Sequence, residues 1–189
     1  SGIANDLYKM FHVLFGGVKG GLAIGTMFMM VAISAMNGLS VAGMAIGATI
    51  ALPEMLRRNY DKRMITGVVQ AGSSLGILIP PSVVMVLYGM IARQPVSKLW
   101  MAGILPGLLM AFLFLIYIYV RCKLQPELGP PLKKEERSIS TLEKIRLLKA
   151  GIIPFLIFFF MTGLFLMGIA SLVECSAVGA FLATLAAIY

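Results

Sequence analysis

Charge is what this sequence has least of. Only 13% of its 189 residues are Asp, Glu, Lys or Arg, while 59% are hydrophobic. No charged residue falls in Gly20 to Pro53, Met64 to Ala92, Leu99 to Val120 or Ala150 to Val173. Each run is longer than the roughly 20 residues that cross a bilayer. A soluble domain needs a surface of about one-quarter charged residues, so a soluble globular fold is excluded. Mean hydropathy of +0.93 agrees. Cysteine and histidine are as scarce: Cys122, Cys175 and His12 stand alone. They give neither a disulfide framework nor the ligand spacing of a transition-metal site. Paired acids, a zinc motif and a nucleophile with its base are also lacking, which argues against an intramembrane enzyme.

The charges that are present sit between the apolar runs. The net charge is +8, but its placement argues against a nucleic-acid partner. Arg57, Arg58, Lys62 and Arg63 form one cluster. Arg121, Lys123, Lys133, Lys134, Arg137, Lys144, Arg146 and Lys149 form the other. Basic loops mark the cytoplasmic side of a membrane protein. We therefore expect an all-α polytopic membrane protein in a lipid bilayer, with both clusters inside. With no start region at Ser1 and an apolar helix under way at Tyr189, we read the chain as part of a longer protein.

Two of the apolar runs are broken. Gly20 to Pro53 is too long for one crossing and too short for two, which take about 40 residues. Its middle, Asn37-Gly38, is a turn signal. We expect a re-entrant helical hairpin over 20–53: an arm from Gly21 to Met36, a tip at Asn37 to Leu39, and a return from Ser40 to Leu52. Glycines 38, 43 and 47 with Ala42, Ala45 and Ala48 offer a small face for close packing. Irregular backbone at membrane depth survives only when buried in protein or lining a wet cavity. The second run, 64–92, reads as a broken transmembrane helix. Gly72 and Gly76 loosen it and Pro80-Pro81 interrupts it, since proline donates no backbone hydrogen bond and clashes with an earlier carbonyl. Carbonyls near Gly72 to Leu78 then lose their helical partners, and a Na⁺ ion could take them.

The rest follows by pattern. Residues 1–19 read as an amphipathic, interfacial helix with Leu7, Met10, Phe11 and Leu14 on one side. Residues 54–63 are a cytoplasmic turn, where an exposed Arg58–Asp61 pair would be weak. Residues 93–98 are an external turn and 99–120 a transmembrane helix. There Trp100 is expected at the interface, and Leu105-Pro106-Gly107 marks a kink or helix start. Residues 121–149 form a cytoplasmic loop with an amphipathic helix after Ser140-Thr141-Leu142-Glu143, Ile145, Leu147 and Leu148 giving its apolar side. Residues 150–173 cross outward, and 174–189 begin another transmembrane helix from about Ser176, with Glu174 at its start as a cap. The fourteen methionines read as adaptable packing.

Taken in order, these segments resemble the large membrane subunit of tripartite ATP-independent periplasmic (TRAP) transporters. The resemblance rests on Ser73-Ser74-Leu75-Gly76-Ile77-Leu78-Ile79-Pro80-Pro81-Ser82, on Pro53-Glu54-Met55-Leu56-Arg57-Arg58-Asn59-Tyr60-Asp61, on Ala102 to Gly107 and on Glu174 to Ala180. Two places depart from the family pattern. The tip reads Asn37-Gly38-Leu39-Ser40 where the family has Ser-Gly-Ser-Ser. Ala170-Ser171-Leu172-Val173 replaces Phe-Thr-Pro-Thr before the glutamate.

The resemblance implies the first inverted repeat of an elevator-type carrier of the ion-transporter superfamily. That carrier is a sodium-coupled importer of an organic acid, such as a C4-dicarboxylate or sialic acid, in the inner membrane of a bacterium or archaeon. Its implied partners are a small membrane subunit and a periplasmic binding protein. No cofactor is expected beyond Na⁺ as the coupling ion. Expected sodium ligands are Asn37, Gly38 and Ser40 at the tip with Gly72, Ser73, Ser74 and Gly76 at the break, since a hard cation favours oxygen. The competing reading is that these glycines serve close packing and the serines bond back to their own helix. Substrate carboxylate is expected at half-helix N-termini, near Ser40 and near Pro81 and Ser82. Two further readings stay open: a carrier of the same superfamily that works without a binding protein, and a non-transporting scaffold or decayed half-copy.

Overall fold

The computed structural model describes residues 3–131 and 141–188. Lys133, Lys134, Arg137 and Ser140 lie outside the described residues, as do the side chains of Ile145, Leu147 and Leu148. Among the described residues every regular element is helical. Helix α1 is Ile3–Phe15, and α2 is Gly21–Asn37. Helix α3 is Ser40–Ile46, a π-turn covers Gly47–Ala51, and α4 is Leu52–Arg57. Helix α5 is Lys62–Ser74, a 3₁₀ turn follows at Leu75–Ile77, and α6 is Val83–Ala92. Helix α7 is Val96–Leu124, α8 is Thr141–Leu166 and α9 is Leu172–Ile188.

Helix α2 is the centre. It packs against α1, α5, α3 and α7, and Leu22, Ala23, Met27, Met29 and Met30 are almost fully buried. Such a helix is apolar all round because it meets protein on every side. Glycines bound it. Gly20 opens it with φ 74° and donates to the Gly129 carbonyl at 2.9 Å. Gly38 closes it with φ 63°, its N–H bonding Ser34 O at 2.8 Å. A left-handed residue after the last turn is a common helix stop, and glycine adopts it without a Cβ penalty.

The chain then doubles back through Gly38 and Leu39 into α3. The return does not end at Pro53. It continues through the π-turn into α4, where Pro53 sits in the first turn. A proline ring would meet the carbonyl four residues earlier, that of Thr49, in a regular helix; the widened turn over Gly47–Ala51 opens that spot. The basic turn is accordingly shorter than its sequence, covering Arg58 to Asp61. Arg58 pairs with Glu54 at 2.8 Å rather than with Asp61. Asp61 instead caps α5, accepting from Arg63 N at 2.9 Å and Met64 N at 3.1 Å. A carboxylate there satisfies N–H groups that the helix itself cannot.

Four other expectations meet a different outcome. The spacing in α1 buries Leu7, Met10 and Phe11 against its neighbours, α2 and α8 among them, but leaves Leu14 54% exposed. Leu105-Pro106-Gly107, read as a kink or a helix start, is not a start, since Pro106 lies inside α7. The amphipathic helix and the crossing after it are one continuous helix, α8. Helix α9 starts at Leu172, ahead of Ser176, because Ser171 and Glu174 form a reciprocal cap. Ser171 N donates to Glu174 Oε2 at 2.7 Å, and Glu174 N donates to Ser171 Oγ at 3.4 Å. That is the S-x-x-E capping box.

Helix α7 is, among the described residues, the one helix long and apolar enough to cross a membrane by length and composition. The broken runs divide into shorter apolar helices, Gly21–Ser34 and Val83–Ala92 among them. Trp100, Gly103, Gly107, Ala111, Ile118 and Cys122 form a buried stripe along α7, while Leu105, Leu109, Phe112 and Tyr117 face outward. An apolar surface of that extent suits lipid, not water.

Candidate functional site

The hairpin tip and the helix break meet through their main chains. Val83 N donates to Gly38 O at 3.2 Å. A Cβ on Gly38 would lie 2.4 Å from Pro81 O, so no side chain fits there. Gly38 thus answers two demands, a positive φ and the approach of a carbonyl.

The break begins where α5 tightens into its 3₁₀ turn. Leu78 N and Ile79 N both turn back to Leu75 O, at 3.0 and 2.8 Å. Pro80 and Pro81, joined by a cis bond, offer no N–H. Helix α6 restarts at Ser82, fully buried. The Ser82 hydroxyl donates to Ile77 O at 2.8 Å and accepts from Met85 N at 3.3 Å. It therefore ties both sides of the break together as it caps α6. Trp100 is enclosed by protein. It is 4% exposed, packs edge-on against Phe165 with centroids 4.8 Å apart, and donates from Nε1 to Ser82 O at 3.3 Å. A buried indole needs such a partner for its N–H.

The tip and break residues fall into three groups. Gly72, Ser73 and Gly76 are buried where α5 runs against α2 and α3. Ser74 is half-buried, and Ser40 is half-buried at the first turn of α3. Asn37 is exposed, its amide donating to Ile33 O at 3.0 Å. The two serines of the break bond back within their own helix: Ser73 Oγ donates to Gln70 O at 2.9 Å and Ser74 Oγ to Ala71 O at 2.8 Å. Each hydroxyl keeps acceptor capacity beyond those bonds, since a hydroxyl donates once and accepts twice.

One residue was not legible as part of this place. Ser34, in the last turn of α2, is fully buried. Its Oγ approaches Gly72 O at 3.5 Å. A Cβ on Gly43 would lie 2.8 Å from that same Oγ, and one on Gly76 would lie 2.9 Å from Ser34 Cβ. Ser34 is therefore wedged between the hairpin return and the break, in the space that two glycines leave. Its one sequence signal is a hydroxyl one turn before Asn37-Gly38 in an apolar helix whose other hydroxyl is Thr26.

The sequence matches the family described as "Tripartite ATP-independent periplasmic transporter, DctM component" over residues 1–189. It is 37% identical over 119 residues to the C4-dicarboxylate TRAP transporter large permease protein DctM of Pseudomonas aeruginosa, covering 63% of this chain and 28% of that protein. It is 32% identical over 117 residues to the ectoine TRAP transporter large permease protein TeaC of Halomonas elongata, covering 62% of this chain and 27% of that one. It is 28% identical over 118 residues to the sialic acid TRAP transporter permease protein SiaT of Haemophilus influenzae, covering 62% and 19%. The aligned part is thus under a third of each relative. With the family match running from its first residue to its last, this chain belongs to the DctM component family of tripartite ATP-independent periplasmic transporters.

Proposed function

We propose that this chain is part of a sodium-coupled permease that imports a small organic acid. In this reading α2 and α3 form a re-entrant hairpin, and α5 with α6 forms the broken helix beside it. Both belong to an element that carries substrate across the bilayer by an elevator-type movement. A small membrane subunit braces it, and a periplasmic binding protein delivers the substrate. The relatives are named for C4-dicarboxylate, ectoine and sialic acid, and an organic acid spans that range.

The observation that carries this reading is the backbone contact between Gly38 and the Pro81–Val83 segment. Transporters of this build place ions and substrates where helices are interrupted near the bilayer midplane. Sodium is held by oxygens of Asn37, Gly38 and Ser40 from the tip and of Gly72, Ser73, Ser74 and Gly76 from the break. Ser34 contributes from between them. Substrate carboxylate meets the N-terminal ends of α3 and α6, near Ser40, Pro81 and Ser82, where the helix dipoles favour anions. A second reading has its own support. The bonds of Ser73 and Ser74 to their own helix also suit a tightly packed, non-transporting scaffold.

The test is uptake of labelled organic acids into proteoliposomes holding the permease with its two partners. Uptake should need an inward Na⁺ gradient. Asn37→Ala with Ser34→Ala should raise the Na⁺ concentration for half-maximal uptake about tenfold, the loss of one to two good oxygen contacts. Uptake unchanged in both Na⁺-free buffer and the double variant would remove the sodium site and favour the scaffold reading.

A further inference from the structure

Away from the tip and the break, α5 and α7 diverge and leave a groove of about 730 Å³. Its size falls among those of small-molecule sites. Met64, Val68 and Ala71 line the α5 wall, and Leu113, Phe114 and Ile118 line the α7 wall, with Met27 of α2 beneath. At Gly67 an added Cβ would meet nothing within 4 Å, so the groove stays open at mid-length. The helices run antiparallel, and Arg63 to Ala71 and Leu113 to Arg121 each span about 12 Å of helix axis. The groove is therefore a channel with one polar end and one apolar end.

The polar end carries Arg63 and Arg121, with Tyr117, Gln125 and Asp61 beside them. Among the described residues neither arginine has an ion pair, since both salt bridges belong to Glu54. The acid that lines the groove, Asp61, is committed by Oδ1 to the N–H groups of Arg63 and Met64. Two exposed guanidinium groups thus stand over a lining of apolar side chains. A free anion would use only the arginines, and an apolar molecule would use only the depth. An amphiphile with an anionic head and acyl tails uses both.

We infer that this groove binds one anionic phospholipid of the inner leaflet, its phosphate between Arg63 and Arg121 and an acyl chain along α5 and α7. Basic pockets between membrane helices on the cytoplasmic side take such headgroups, and guanidinium groups match phosphate with two parallel hydrogen bonds. The inference rests on the membrane placement proposed above. It needs neither sodium coupling nor transport.

The experiment uses the purified protein, made as its gene encodes it and delipidated in neutral detergent. It is mixed with equal amounts of phosphatidylglycerol and phosphatidylcholine of identical acyl chains, and bound lipid is counted by native mass spectrometry. We expect about thirtyfold preference for phosphatidylglycerol, the gain of two surface arginines. Arg63→Ala with Arg121→Ala should erase that preference, and Arg63→Lys with Arg121→Lys should keep most of it. Gly67→Leu, which fills the groove, should lower retention of both lipids. Glycerol 1-phosphate, the headgroup without tails, should not be retained. Equal retention of the two lipids by the unaltered protein overturns the inference with no variant involved. So does glycerol 1-phosphate binding as well as the lipid, or a preference that survives the double alanine change. Uptake plays no part in the readout, so a failed transport reading leaves this result standing.

Discussion

At Gly38 two physical demands fall on one missing atom. The left-handed φ costs an L residue about 1–2 kcal/mol, and Pro81 O occupies the place of a Cβ. Gly38→Ala is therefore expected to destabilise the protein by about 2–4 kcal/mol, the backbone cost plus the overpacking. Gly67→Ala is the matched control, because nothing stands in the way of its Cβ. Thermal unfolding in detergent should separate the two by at least several degrees, and equal midpoints would mean that the tip does not rest on the break. The tip turn itself was readable from Asn37-Gly38, because glycine's backbone freedom is local. Ser34 was not readable. Its position depends on Gly43 and Gly76, and they reach it only when α3 and α5 fold over α2.

Among the elements, α4 shows how a break can be absorbed instead of used. Pro53 ended the first apolar run on paper, yet the π-turn carries the chain past it and brings Glu54 to Arg57 and Arg58. Burial works to raise the Glu54 pKa, but hydrogen bonds from Arg58 and then Arg57 outweigh it and hold the carboxyl below its ordinary 4.5. A folded value below the unfolded one adds stability that is complete above the unfolded pKa. It is lost as pH falls through the folded value. The pairs are partly exposed, with Arg57 at 73%, so the gain is small, about 0.5 kcal/mol. Glu54→Gln should thus be less stable than the native chain near neutral pH, the gap closing in acid below the ordinary carboxylate range. Denaturant titrations at several pH values would show it, and a gap independent of pH would place the effect in packing.

The whole molecule presents a buried polar seam inside an apolar exterior. Ile91, Leu105 and Val173 are 85%, 77% and 78% exposed, which water would penalise and lipid would not. By the positive-inside rule we expect Lys62 and Arg121 on the cytoplasmic side and the α6–α7 turn outside. Gln94→Cys should accordingly react with an impermeant thiol reagent on intact cells, and Lys62→Cys only after permeabilisation. Cys122 and Cys175 are both buried, so they add little background. Labelling of both positions from one side would reverse or collapse the topology. Two of the charge-free runs are broken, as their sequence led us to expect. Gly20 to Pro53 and Met64 to Ala92 fold into pairs of shorter helices, because Gly38 and Pro80-Pro81 stop each helix partway.

Local chemistry in the sequence determined the membrane class, the turn at Asn37-Gly38 and the helix break, since hydropathy, a glycine stop and a proline pair each act within a few residues. Only the tertiary structure decided that tip and break touch through Gly38 O and Val83 N, and that Ser82 and Trp100 lock the restart of α6. It also decided that Ser34 fills the seam and that two arginines share one groove. Those outcomes join residues far apart in the chain, and no pattern along the sequence fixes the angle at which apolar helices pack.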